Sequence, residues 1–218
     1  VDQELITINC ASTLENALPV LPLYYLPPVS YFALLLKHGG GLLEQHEHFT
    51  KQSLRNRAYI NTAQGVLKLS IPVLHHGKVS YKDLLIDNSQ NWQALHWRSI
   101  QAGYGKAPYF QFYAPYFEPF YKRTYTHLWD YNLELLTVCL QIVKLAASIE
   151  FTDFYEIAPL NHPDYRNVIK NTTFPTSLLQ VAPYQQVFGV EFEKGLSIID
   201  LVFCCGPDSK NLLLQSIL

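Results

Sequence analysis

The stretch of this sequence richest in reactive side chains runs from Leu43 to Arg57, LEQHEHFTKQSLRNR. Glu44, His46 and His48 stand two residues apart, and in an extended strand such residues share a face. A carboxylate and two imidazoles so placed could form an acid/base set, with Glu44 or His48 as the base, or offer up to three ligands to Zn²⁺ or Fe²⁺. The spacing fits no standard metal motif, and a hydrogen-bonded edge strand carries the same pattern, so no metal is assigned. Just beyond, Lys51, Arg55 and Arg57, with Gln52 and Asn56 between them, form a basic cluster. Such a cluster suits a phosphate or a carboxylate, because a guanidinium fork grips either through two parallel hydrogen bonds. A solvated charged turn has the same composition. The third candidate is Asp200, set in the apolar run Ile198-Ile-Asp-Leu-Val202. A carboxylate there is costly unless paired, which predicts an arginine partner such as Arg55, Arg57 or Arg166, for structure or for catalysis.

Other routes to chemistry find no support. Gly103-Tyr-Gly-Lys-Ala-Pro108 is glycine-rich but lacks the phosphate-loop pattern, although Lys106 could still face a ligand. No GxSxG, HExxH or GxGxxG occurs, which removes the usual sequence signs of a hydrolase elbow, a zinc protease or a dinucleotide fold. His75-His76 precedes Gly77 and reads as an exposed turn.

The elements that must position these residues follow from periodicity. Leu21–Leu26 reads as a buried strand stopped by Pro27-Pro28. Ser30 is predicted to cap a short helix over Tyr31–Lys37, ended by the glycines at 39 to 41. Leu42–Phe49 reads as a second strand, Arg57–Asn61 and Val66–Val73 as two strands joined by a turn at Gly65, and Val79–Ile86 as another. From Trp92 the period changes to that of a helix, through Ile100 and Tyr104. Pro108, Pro115 and Pro119 punctuate an aromatic stretch. Leu128–Leu145 is a strong amphipathic helix. Ser148–Tyr155 is a strand or the start of a helix, 164–176 a loop, Tyr184–Phe188 extended, Leu196–Cys205 a helix, and Leu212–Leu218 an apolar end that docks on the core. The expected fold is α/β or α+β: an N-terminal mixed β-sheet with flanking helices and a helix-rich C-terminal half. No linker-like stretch and no repeat divides the chain, so one domain over 1–218 is expected.

Composition narrows the class. The chain has 218 residues, 49% hydrophobic and 16% charged, with 15 Tyr and 12 Phe. That length buries a sizeable core unaided, and abundant Tyr suits a concave site as well as a core rim. With a formal charge of −2 and no basic stripe, nucleic acid is not an expected partner. Four irregularly spaced cysteines at 10, 139, 204 and 205 argue against a disulfide framework and for a reducing, cytoplasmic setting. No run is long and apolar enough to cross a membrane.

Several stretches together resemble the WbqC-like family: YLPPVSYF at Tyr25–Phe32, KQSLRNR at Lys51–Arg57 followed by LSIPV, the run from Trp92 to KAPYF at Phe110, and YQQVF at Tyr184 followed by GLSIIDLVFCCGP at Gly195–Pro207. The similarity spans residues 21 to 207. Members of the family occur in O-antigen and other polysaccharide gene clusters of bacteria. The resemblance therefore implies work on surface sugars, such as transfer of an amino-acyl (glycyl) or other group to a sugar from a phosphorylated or otherwise activated sugar or acyl donor. It carries Lys51, Gln52, Arg55, Asn56 and Arg57 over as donor-binding residues, with Tyr31 and Asp200 beside them. It names no cofactor. The competing expectation is a non-catalytic ligand- or protein-binding module, which the lack of a recognised catalytic set favours.

Overall fold

The computed structural model describes residues 17–74, 77–168 and 179–217. Cys10, His75-His76 and most of the expected 164–176 loop lie outside the described residues. Strand β1, Val20–Pro22, leads through helix α1, Val29–His38, into strand β2, Gly40–Glu44. The connection is a parallel unit, because a helix of this length carries the chain back to its starting edge. Strand β7, Ser148–Phe151, joins from far along the chain, giving a parallel sheet in the order β1-β2-β7. The α/β class is thus as expected, but the sheet draws on residue 148 and beyond rather than on the N-terminal half alone. Asp164 adds a further parallel bridge to Val20 on the other side of β1.

Two glycines make the first unit possible. Gly39 closes α1 with φ of 70°, its N–H returning to the Leu36 carbonyl, a left-handed cap that favours glycine. At Gly40 a Cβ would stand 2.1 Å from the Ser148 carbonyl oxygen, so β2 and β7 pair closely only with glycine there. Pro28, not Ser30, occupies the N-cap of α1. The Ser30 hydroxyl is buried without a hydrogen-bond partner among the described residues.

Both expected sheet strands come out shorter, and side chains explain it. Past Pro22, backbone carbonyls are taken by buried tyrosines: the Tyr31 hydroxyl donates to Pro22 O at 3.1 Å and the Tyr81 hydroxyl to Leu23 O at 2.9 Å. Past Glu44, the Glu44 carboxylate accepts the His46 N–H at 2.7 Å and the Thr152 hydroxyl accepts the Gln45 N–H at 3.3 Å. Such local bonds compete with a ladder. The chain then leaves the sheet, and 47–49 pairs instead with 79–81 through the Phe49 N–H to Val79 O and the Tyr81 N–H to Glu47 O. The expected strand over 79–86 is consequently broken into a 3-10 turn, Tyr81–Asp83, and a short strand β6, Leu85–Ile86, paired with β5, Val73–Leu74.

Strands β3, Arg57–Thr62, and β4, Gly65–Ser70, form the expected antiparallel hairpin. Helices α2, Trp92–Tyr104, α4, Leu128–Ile142, and α5, Ile198–Cys205, fall where periodicity places them. The proline-punctuated stretch contains a helix too: α3, Phe110–Phe117, includes Pro115. The carbonyl that Pro115 leaves unbonded belongs to Gln111, which is exposed and can be solvated, removing most of the usual penalty. A last helix, α6, Ser209–Gln215, packs on α1 and α5. Tyr25, Tyr31, Tyr81, Tyr104 and Tyr131 are the bulkiest fully buried side chains, so much of the tyrosine sits in the core itself. No helix among the described residues is long and apolar enough to cross a membrane.

Candidate functional site

Two cavities border the sheet, one of them beyond the carboxyl ends of its strands, where ligands of open parallel sheets bind. One, of about 290 Å³, is walled by the Thr50–Arg55 turn, Arg57 and Tyr59 of β3, Tyr24 just past β1, and Arg166-Asn167. The other, also about 290 Å³, lies on the sheet face turned away from α1, over Val20, Leu42, Glu44 and Thr152. That face is fixed by alternation: a Cβ on Gly41 would meet Leu21 and the α1 residue Leu35, so Leu42 and Glu44 point the opposite way. Arg166 borders both cavities.

Three arginines approach the first cavity, and their surroundings differ. Arg55 is buried, and both Nε, at 2.9 Å, and Nη2 donate to Glu47 Oε1. Its carbonyl accepts from Asn132 Nδ2 at 2.7 Å. Burial raises the Glu47 carboxyl above its usual range, and Arg55 pulls it back only in part. Arg166 is buried and saturated. Nε and Nη2 grip Asp164 Oδ1 and Oδ2 at 2.9 and 2.7 Å, Nη1 donates to Glu156 O at 2.8 Å and Nη2 to Ile157 O at 3.2 Å. Glu44 Oε2 lies 3.6 Å from Nη1. Hydrogen bonding to Arg166 holds the Asp164 carboxyl below its ordinary range. Arg57 is half-buried, and its buried Nε has no hydrogen-bond partner among the described residues. Neither Arg57 nor Lys51, which is exposed on the rim, has an ion-pair partner among them. No carboxylate lines this cavity. It is a concave site whose two uncompensated charges are both positive.

The remaining sequence candidates separate. Gln52 lines the same cavity and has φ of 59°, a left-handed conformation that non-glycine residues adopt mainly at turns and ligand clamps. Asn56 is buried, its Nδ2 donating to Ile71 O at 2.8 Å, which ties the turn to the strand region behind it. Tyr31 is fully buried in the core, and burial holds its hydroxyl proton to well above the usual pKa. Glu44 is 1% exposed and lines the second cavity. Because β2 stops at Glu44, the alternation that would carry His46 and His48 onto its face does not extend. His46 Nε2 sits 3.0 Å from Thr152 O, and His48 is exposed beside Ser80. Among the described residues no group of three His, Cys, Asp or Glu is arranged to hold a metal ion.

Asp200 corrects the expectation of an arginine partner. It is fully buried, and its Oδ2 accepts from the Tyr184 hydroxyl at 2.7 Å and Gln186 Nε2 at 2.9 Å. Burial raises its carboxyl. The YQQVF stretch and the GLSIIDLVF helix that follows it are thus joined through one carboxylate.

The profile of the WbqC-like protein family matches residues 23–172. This chain belongs to the WbqC-like family. The matched span holds every lining residue of the first cavity and all of the second but Val20, whereas Asp200 and its partners fall outside it. The WbqC-like chain is also similar to the Uncharacterized protein Rv1507c of Mycobacterium tuberculosis, 25% identical over an alignment covering 87% of this chain and 94% of that protein. No solved structure matches.

Sequence reasoning missed Glu47, Tyr24, Tyr59, Thr152, Asp164 and Arg166 as parts of these sites. Glu47 stood between the two histidines, and its distance of eight residues from Arg55 gave no local signal. Tyr59 stands two residues from Arg57 on β3, a neighbour that alternation could have found, and the rest come from chain segments that only the fold brings together.

Proposed function

We propose that this WbqC-like chain binds a phosphate-bearing, activated donor in the cavity under Lys51 and Arg57 and transfers a group from it to a sugar in the assembly of bacterial surface polysaccharide. The supporting observation is Arg57. A guanidinium with a buried, unpartnered Nε in a cavity without carboxylates is costly by itself. An anion there would supply the missing acceptor and the missing charge. Arg55 and Arg166 shape the walls, already neutralised by Glu47 and Asp164. The sugar acceptor and the polysaccharide setting rest on family membership, and a cytoplasmic site of action on the free thiols of Cys139, Cys204 and Cys205. Of the two expected bases, Glu44 borders a cavity next to the proposed donor's and His48 borders neither, which favours Glu44 as the base that takes a proton from an acceptor.

A second reading has its own observation. Neither Glu44 nor His48 lines the donor cavity, as would hold for a module that binds an anion without turning it over. Thermal denaturation with nucleotide sugars, acyl adenylates and aminoacyl donors separates the possibilities. A bound donor at 100 times its dissociation constant adds about 2.7 kcal/mol of stability. Stabilisation by one donor class, lost in Arg57→Ala and followed by product formation that Glu44→Gln abolishes, is the expected result. Stabilisation without product in the presence of sugar acceptors would leave the binding module. Stabilisation unchanged in Arg57→Ala would sink the site.

A further inference from the structure

The volume of the first cavity, about 290 Å³, is at the lower end of the ~300–1,000 Å³ typical of small-molecule sites. It leaves room for more than one isolated phosphate. Its two uncompensated cations, Lys51 and Arg57, match the charge of a linked pair of phosphates better than that of a carboxylate.

The hairpin beside it continues the pattern. Along β3, Ala58 and Ile60 are buried in the core, so Arg57 and Tyr59 share the outward face. The β3–β4 register sets Lys68 opposite Tyr59 and Ser70 opposite Arg57. Residues directly opposite in an antiparallel pair lie on one face, with Cβ atoms about 4.5–5.5 Å apart. The face therefore presents the Arg57 guanidinium and the Tyr59 ring along β3, both lining the cavity, with the Lys68 ammonium across the ladder from the ring. Tyr59 is half-buried, lines the cavity, and has no aromatic partner among the described residues. That contrasts with the core tyrosines: Tyr25 and Tyr131, for example, pack against each other at 5.9 Å. The amide of Asn167 and the hydroxyls of Thr50 and Ser53 complete the rim.

From this arrangement we infer that the ligand of the cavity is a nucleoside diphosphate or a derivative of one. Its two phosphates lie between Lys51 and Arg57, and its base lies over the Tyr59 ring in the direction of Lys68. The inference rests on the anion-binding reading above and adds the ring and the second phosphate to it. Aromatic stacking tolerates many bases because each offers a π face, so the ring contact sets the ligand class rather than the identity of the base.

The test is equilibrium binding of pyrophosphate and of uridine diphosphate to the full chain, in the parent protein and in Arg57→Ala, Tyr59→Ala and Tyr59→Phe, each checked for an unchanged circular dichroism spectrum. The expected result has three parts. Pyrophosphate binds and is weakened at least about tenfold by Arg57→Ala, as loss of a charge-assisted contact requires. Uridine diphosphate binds roughly tenfold or more tighter than pyrophosphate, in line with one stacked base. Tyr59→Ala removes that difference and leaves pyrophosphate untouched, while Tyr59→Phe keeps it. Uridine diphosphate no tighter than pyrophosphate, or a difference that survives Tyr59→Ala, would overturn the nucleoside assignment and leave the anion site standing. Failure of pyrophosphate to bind, or binding indifferent to Arg57, would remove both.

Discussion

Arg55, Arg57 and Arg166 show how little a residue type says about its role. All three face one cavity, yet only Arg57 lacks an ion-pair partner among the described residues. Stability measurements should separate them. In the Arg55–Glu47 pair the side chains are only 5% and 11% exposed. Glu47→Ala strands a buried guanidinium and is expected to cost about 3–5 kcal/mol in urea unfolding. Arg57→Ala removes a charge that has no partner and a buried N–H that is costly unpaired, and is expected to leave stability equal to or above the parent's. Equal losses in the two variants would refute the distinction. His96 gives a pH dependence. It is buried in van der Waals contact with Trp92 and bonded through Nδ1 to the Tyr25 hydroxyl at 3.0 Å, and burial lowers its pKa from 6.5 to about 4. The folded state then holds this ring neutral where the unfolded chain would protonate it. Its contribution is present above pH 6.5 and is lost as pH falls towards 4. The stability gap between the parent and His96→Gln should narrow by about 3 kcal/mol over that range, and a constant gap would mean that His96 does not titrate this way. The basic cluster was legible in the sequence because its five residues fall within the seven positions Lys51–Arg57. Which arginine stays free was not, because Glu47 and Asp164 decide it through contacts that only the fold creates.

Among the elements, the segment 152–164 is fixed at its ends, by Thr152 on Gln45 and His46 and by His162 and Pro163 on Leu18 and Val20, and between them is held mainly by Arg166. It leaves β7 at Thr152 and carries exposed apolar side chains, Phe154 at 64% and Ile157 at 87% exposed. Arg166 binds its carbonyls at Glu156 and Ile157, stacks 5.1 Å from the Tyr155 ring, and grips Asp164 at its end. An exposed loop with few packed side chains opens locally at small cost. Arg166→Gln is therefore expected to raise the rate of proteolytic cleavage between residues 152 and 164 several-fold, read by mass spectrometry of the fragments; an unchanged cleavage rate there would show that the loop is held by other contacts. Elements with a sustained helical period, α2, α4 and α5, were legible from spacing alone. Helix α3 was hidden by its prolines, and strand β7 by its length of four residues, too short for alternation to outvote a helix. The ends of β1 and β2 were set by tyrosine hydroxyls and by the Glu44 carboxylate, none of which leaves a mark in the hydrophobic pattern.

At the scale of the whole molecule, the span matched by the family contains the first cavity and nearly all of its neighbour. The C-terminal segment completes the core through Asp200, Tyr184 and Gln186 rather than lining either cavity. The α/β class could be read from the order of strands and helices. The sheet order could not, since it depends on a pairing between residues 40 and 148 that no local pattern announces. The tyrosine-rich interior has a consequence for alkaline stability. Burial raises the hydroxyls of Tyr25, Tyr31, Tyr104 and Tyr131 well above the usual value of 10. The unfolded chain releases those protons from about pH 10 upward, while the folded chain keeps them. Stability present below that pH drains away above it. In optical terms the buried rings act as a built-in indicator dye. Of the 15 tyrosines, these four should add their tyrosinate absorbance in one steep step that coincides with the loss of helical circular dichroism, and absorbance from all 15 before unfolding would show that these rings are reached by hydroxide in the folded protein.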